Sequence, residues 1–134
     1  MKTKFPFKKI FSPPIAVLVI HFFILFIGVY NVYPDVDIPA HFMGGFSAAW
    51  SFVLLFKFAY EEKLIGEMNP LVFFVFVVSL VSLTAVLWEF FEFGLDTFFN
   101  LHTQLSLRDT MGDLFFGLVG GVCGFLYIYP KALR

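Results

Sequence analysis

The sequence predicts an all-α fold: a polytopic membrane protein in which four transmembrane helices form one bundle. Hydrophobic residues make up 60% and aromatic residues 22% of the 134 residues, whereas the apolar share of a soluble domain is about 45–50%. The apolar residues fall in four runs, each close to the roughly 20 residues that cross a bilayer as a helix. We therefore expect a single transmembrane domain over residues 1–134.

The first apolar run extends from Ile15 to Tyr33 and predicts a helix over residues 13–33. Pro13 follows Ser12, a pair that is typical of the first turn of a helix. A secretory signal peptide is the alternative, because lysines precede the run, but no A-x-A-like cleavage site follows it. We expect a retained first span.

The other runs predict helices over residues 39–60, 70–96 and 109–129. Each begins beside a residue pattern that is typical of helix N-termini. These patterns are Asp37 before Pro39, Asn69 before Pro70, and Ser106 or Thr110 three residues before Asp109 or Asp113. Because the connections are short, we expect successive helices to be antiparallel neighbours in the bundle.

The distribution of Lys and Arg predicts the orientation of a multi-pass protein in the cell membrane. Cytoplasmic loops of membrane proteins are enriched in these residues. With the N-terminus inside, eight of the nine Lys and Arg residues lie on the cytoplasmic side, and Arg108 alone lies outside. The prediction is N-in and C-in, with both termini cytoplasmic.

Acidic residues gather at the predicted outer end of the bundle. Seven of the ten map there: Asp35, Asp37, Glu89, Glu92, Asp96, Asp109 and Asp113. Their spacing places Asp37 with His41 on one helix face, and it groups the acids of the third and fourth helices in the same way. Gly45 and Gly117 follow on such faces, and small residues favour close helix packing. The acids are therefore expected to face the bundle interior, although Asp37 and Asp109 are also explained as helix N-caps.

This arrangement predicts a divalent metal site with Mg, Mn or Zn as the cofactor. Carboxylates with one imidazole suit these ions, and a cluster of anions needs a compensating cation. The predicted metal ligands are His41, Glu92, Asp96, Asp109 and Asp113. Glu89 is the candidate general base and Arg108 the candidate phosphate contact, which makes both candidate catalytic residues.

His21 is expected to lie outside this site. In a helix that ends at residue 33, His21 lies roughly 20 Å from the outer end at a rise of 1.5 Å per residue. It would then form a hydrogen bond with another helix at mid-depth.

Short motifs in this sequence resemble those of the VanZ-like membrane proteins and related small uncharacterised inner-membrane families. The motifs lie within residues 35–125 and comprise Asp37-Ile-Pro-Ala-His41-Phe42 with Gly45, the acids that close the third helix, and Arg108-Asp109-Thr110-x-x-Asp113 before a Gly-rich helix. The resemblance implies a multi-helix envelope protein, linked to glycopeptide resistance in the best-known members, and it assigns no catalytic residue. The sequence departs from that pattern at Ile38, where a Lys is frequent, and in having three acids in the third helix where a Glu and a Gln are usual.

Three functions stay open from the sequence. The first is a metal-assisted hydrolase or transferase that acts on a lipid-linked or cell-envelope substrate at the outer leaflet. The second is a cation-binding or transport protein, and the third is a structural membrane protein whose acids only cap helices. Membrane lipids are the expected partners and an oligomer is compatible with each function. Nucleic acid is not expected, because the net charge is -1 and no basic patch is present.

Overall fold

The structure, a computed structural model, describes residues 4–132 and is helical except for the connections. Its four long helices are α1 (Phe7–Phe26), α3 (Asp37–Glu61), α4 (Pro70–Phe99) and α5 (Leu107–Ala132). A short helix, α2 (Val29–Val32), and one 3-10 turn (Pro34–Val36) join α1 to α3. All four long helices are long and apolar enough to span a membrane. The predicted all-α fold with four candidate spans is confirmed.

Helix α1 begins and ends earlier than the predicted 13–33, and it continues through Pro13 and Pro14. A proline inside a helix lacks the N–H that would bind the carbonyl four residues before it. The two carbonyls left free belong to Lys9 and Ile10. Trp50 of α3 donates its indole N–H to the oxygen of Lys9 at 3.0 Å, and Ser51 of α3 supplies the bond to Ile10. These bonds from a neighbouring helix allow α1 to pass through both prolines.

Gly28 separates α1 from the short helix α2. Its φ of 76° lies in the left-handed region that favours glycine, so the helical path of α1 stops there. The polypeptide then turns through α2 and the 3-10 turn to the start of α3 at Asp37. The predicted single helix to Tyr33 is therefore wrong beyond Phe26.

Helices α3 and α5 form the closest-packed pair, and both begin at the same end of the bundle, so they are parallel. A Cβ atom on Gly45 would overlap the carbonyl oxygen of Gly117, and one on Gly120 would overlap that of Phe42. The small residues thus permit direct contact of the two backbones. Gly121 instead faces Val81 of α4, so the predicted glycine face of α5 is divided between two neighbours.

The ends of α1 and α4 and the beginnings of α3 and α5 meet at one end of the bundle, where the acidic residues lie. A buried apolar core that includes Ile10, Val53 and Val77 fills the part of the bundle toward the other end. Lys4 and Ala132, the limits of the described residues, lie at that other end. Lys2 and Arg134, which entered the orientation prediction, lie outside the described residues. N-in and C-in stays a prediction.

Candidate metal centre

His41, one turn into α3, is the centre of a buried group of acidic side chains from three helices. Its Nε2 atom lies 3.4 Å from Asp37 Oδ1 and 3.8 Å from Asp113 Oδ1. Its Nδ1 atom lies 3.9 Å from Glu89 Oε1. Together with Glu92, these residues form what we call the His41 cluster, and each of the five is at most 8% exposed.

Helix periodicity explains how the cluster assembles. Asp37 and His41 are four residues apart on α3, and Glu89 and Glu92 are three apart on α4, so each pair shares a helix face. Asp113 occupies the second turn of α5. Because α3 and α5 begin where α4 ends, the three faces come together at one depth, as the sequence predicts.

The cluster contains two overlapping groups that could hold a metal ion. One is Asp37, His41 and Asp113, and the other is His41, Glu89 and Glu92. In each group, the potential ligand atoms all lie within 4.8 Å of one another. His41 belongs to both groups, with Nε2 toward Asp37 and Asp113 and Nδ1 toward Glu89.

Four buried side-chain atoms in the described residues have no hydrogen-bond partner, and all four belong to the cluster. They are Asp37 Oδ1, His41 Nε2, Glu89 Oε1 and Glu92 Oε2. A buried polar atom without a partner costs about 1–3 kcal/mol, and more when the group is charged. The concentration of such atoms at one point is what an ion-binding site requires.

His21 lies next to the cluster, contrary to the prediction that it lies far away. Its Nε2 atom is 3.9 Å from Glu92 Oε1, and the side chain is buried. The prediction was wrong because α1 ends at Phe26 rather than at residue 33, so His21 is five residues, or about 7.5 Å, from the helix end. Trp88 donates its indole N–H to the same Glu92 oxygen at 2.9 Å.

Tyr30 of α2 orients the His21 ring. The Tyr30 hydroxyl and His21 Nδ1 lie 2.9 Å apart. Burial, followed by the negative charges of Asp37, Glu92 and Asp113, raises the pKa of the Tyr30 phenol, so the hydroxyl keeps its proton at neutral pH. This contact leaves the other ring nitrogen of His21, Nε2, to face Glu92.

Asp96, a predicted metal ligand, lies outside both groups of potential ligands. Its Oδ1 atom accepts bonds from the backbone N–H of Thr103 at 2.6 Å and the Thr103 hydroxyl at 2.7 Å. Its Oδ2 atom accepts a bond of 2.8 Å from the backbone N–H of Gln104. These bonds fasten the loop after α4 onto that helix.

Gln104 links this loop to the cluster. Its side-chain N–H donates to Glu89 Oε2 at 2.9 Å and to the Glu89 carbonyl oxygen at 3.1 Å. One oxygen of the candidate general base is therefore occupied by an amide donor, whereas Oε1 is directed toward His41.

Asp109 and Arg108 lie beside the cluster, at the start of α5. Asp109 Oδ2 accepts a bond of 3.2 Å from the Leu105 N–H, and the Asp109 N–H donates to Ser106 Oγ at 3.2 Å. Ser106 thus lies at the N-cap position and Asp109 is the third residue of α5, so Asp109 supports the helix N-terminus but is not the N-cap of the alternative interpretation. Arg108 is exposed and is not among the residues that line the adjoining cavity.

A cavity of about 830 Å³ adjoins the cluster, between the end of α1 and the loop after α4. Asp37 and Glu92 of the cluster reach its wall, together with His21, Tyr30 and Asp109. Much of the remaining wall is apolar. The cluster is thus accessible from a space that is large enough for part of a small organic molecule.

Four residues around the cluster are not among the predicted site residues: His21, Tyr30, Trp88 and Gln104. Trp88 could have been found, because it precedes Glu92 by four residues on the same helix face. His21 and Tyr30 lie near the cluster because α1 ends at Phe26, and Gln104 reaches it because of the conformation of the loop after α4. No periodic pattern in the sequence predicts either feature.

A family model described as Predicted membrane protein (DUF2238) matches residues 1–132. This match does not confirm the resemblance to VanZ-like proteins. No curated protein and no solved structure shows significant similarity to the chain. The family description names a location and no activity, so functional inference depends on the site.

Proposed function

Because the chain belongs to this family of predicted membrane proteins, we propose that it is an integral membrane protein whose His41 cluster binds a divalent cation. One observation supports the proposal above all: the four unpartnered buried atoms of the described residues all lie in this cluster. A cation would supply the missing partner for Asp37 Oδ1 and His41 Nε2 and would compensate the carboxylate charges of the cluster.

The first ligand set we propose is Asp37, His41 and Asp113. Two ligands that each lie about 2.0–2.2 Å from a tetrahedral ion are about 3.4 Å apart. The distances of 3.4 Å and 3.8 Å from His41 Nε2 to the two carboxylates are close to that value. Glu89 then faces the opposite ring nitrogen, the usual position of a carboxylate that orients a metal-binding histidine.

Zn, Mn and Mg are the candidate ions, because one imidazole with carboxylates is compatible with each of them. With the N-in and C-in orientation predicted from the Lys and Arg distribution, the ion would enter from the extracytoplasmic side. Binding would displace protons from the ligands, so its affinity should fall as the pH falls.

The test is metal binding by protein purified in detergent and treated with EDTA. We expect one Zn or Mn ion per chain by calorimetry, with metal content confirmed by mass spectrometry. His41→Ala and Asp113→Asn should each weaken binding by at least about tenfold. Glu61→Gln is the matched control, because Glu61 lies at the opposite end of the bundle. Equal affinities for the wild type and His41→Ala would contradict the proposal.

A second candidate function, a metal-assisted hydrolase or transferase that acts on a lipid-linked or cell-envelope substrate, is favoured by the adjoining cavity. In this function Glu89 would leave His41 Nδ1 and serve as general base for a water molecule, which would require movement of its side chain because Glu89 does not line the cavity. Arg108 is exposed outside the cavity wall, so a role in phosphate binding would require movement of its side chain. Metal-dependent hydrolysis of acyl and phosphate esters that is lost in Glu89→Gln would support this function, and turnover unchanged in that variant would contradict it.

A further inference from the structure

The cavity beside the cluster has one acidic side and one apolar side. Asp37, Glu92 and Asp109 contribute carboxylates to its wall. Phe22 and Phe26, both exposed, belong to the apolar side at the end of α1. Since α1 is a candidate span, this side borders the space that lipid chains occupy. A cavity with these two sides matches an amphiphilic ligand.

The charges on the wall determine which headgroup can enter. Among residues 4–132, no Lys or Arg lines the cavity, whereas three acids do. Glu92 Oε2 is buried without a hydrogen-bond partner, and Glu92 is more than nine-tenths buried. An anionic headgroup would be repelled by these carboxylates. A cationic headgroup provides the counter-charge that the wall lacks.

The aromatic residues on the apolar side are compatible with the same ligand. Phenylalanine and tyrosine rings attract an ammonium group through their π faces and also pack against alkyl chains. The volume of about 830 Å³ lies within the usual range of small-molecule sites, about 300–1,000 Å³. It accommodates a trialkylammonium group with part of one chain.

We propose that this cavity binds a single-chain amphiphile with a quaternary ammonium headgroup. The headgroup lies against Glu92 and Asp109, and the chain lies against Phe22 and Phe26 toward the membrane. This ligand is additional to the divalent cation, whose proposed ligands are Asp37, His41 and Asp113.

The experiment compares three probes with the same ten-carbon chain: decyltrimethylammonium, decanol and decyl sulfate. Binding to protein in a nonionic maltoside detergent is measured by equilibrium dialysis, both in EDTA and with Mn. We expect saturable binding of one decyltrimethylammonium per chain, at least about tenfold tighter than that of the other two probes. Binding of decanol or decyl sulfate with equal affinity overturns the proposal.

Two variants test the headgroup contacts. Glu92→Gln and Asp109→Asn preserve side-chain shape, and each should weaken decyltrimethylammonium binding by about tenfold without affecting decanol. Glu67→Gln, at the opposite end of the bundle, is the control. Unchanged binding in both Glu92→Gln and Asp109→Asn, with each variant folded by size-exclusion chromatography, overturns the proposal. Binding in EDTA keeps this inference separate from the metal centre, because either ligand can fail without the other.

Discussion

The hydroxyl of Ser51 in α3 donates a hydrogen bond of 2.7 Å to the carbonyl oxygen of Ile10 in α1. This carbonyl has no partner within its own helix, because Pro14 occupies the position whose N–H would normally bind it. Trp50 does the same for the carbonyl of Lys9 at the preceding residue. The two prolines of α1 and two neighbouring side chains of α3 therefore form one structural unit.

Replacing Ser51 by Ala should destabilise the protein. The buried Ile10 carbonyl would lose its partner, which should lower the free energy of unfolding by about 1–2 kcal/mol. Thermal unfolding in detergent measures the effect. Ser79→Ala is the matched control, because the exposed Ser79 hydroxyl donates only to Val75 O within its own helix. Equal changes in melting temperature for the two variants would contradict the role of Ser51.

The start of α1 illustrates what the sequence could and could not predict. Hydropathy predicts that the helix exists, because an apolar run of this length is typical of a transmembrane span. Because proline is frequent at the first position of a helix, the local pattern predicts that the helix begins at Pro13. In the structure, α1 continues through Pro13 and Pro14 because Trp50 and Ser51, about forty residues later, donate hydrogen bonds to the carbonyls that the prolines leave free. No local sequence pattern predicts these bonds.

The candidate site was predicted best where it depends on helix periodicity alone. His41, Glu92 and Asp113 follow from spacing and from the short connections, and the structure brings them together. Asp96 also satisfies the spacing, but its carboxylate is occupied by the backbone of the loop after α4. The hydropathy pattern places His21 far from the site because it does not reveal the break at Gly28. The predicted and the observed sites therefore differ where the position of a residue depends on loop conformation or on the end of a helix.

Gly45 and Gly44 offer a matched pair for the contact between α3 and α5. Gly45→Ala should lower the free energy of unfolding by about 2 kcal/mol or more, because its Cβ would overlap the backbone carbonyl of Gly117. A Cβ on Gly44 meets nothing within 4 Å, so Gly44→Ala should be neutral or slightly stabilising. Melting temperatures in detergent test both. Similar values for the two variants would contradict the close contact.

The orientation prediction can be tested by thiol labelling of intact cells. In a Cys123→Ser background, we expect an impermeant reagent to label His102→Cys from outside and to leave Lys63→Cys unlabelled, because Lys and Arg favour the cytoplasmic side. Both side chains are exposed. Labelling of both variants after detergent solubilisation shows that each thiol can react. The reverse pattern in cells would invert the orientation.

The two oxygens of Glu92 differ in their surroundings, which suggests a positioning role for His21. Oε1 accepts a bond from Trp88 and lies 3.9 Å from His21 Nε2, whereas Oε2 has no partner. Holding Oε1 keeps the Glu92 carboxylate near His41, where its negative charge favours a cation bound by Asp37, His41 and Asp113, in the way that outer residues support metal sites. Tyr30 in turn holds the His21 ring through Nδ1.

His21→Ala should therefore weaken divalent cation binding by about tenfold, the lower end of the effect of losing such an outer partner. Tyr30→Phe should weaken it less, because the ring of His21 remains. His21→Gln should restore part of the affinity, since an amide N–H beside Glu92 also presents positive charge to its carboxylate, a rescue that loss of packing alone does not predict. Calorimetry measures each affinity, with His102→Ala as the control because His102 is exposed. If His21→Ala and His102→Ala bind the ion equally, His21 does not position Glu92.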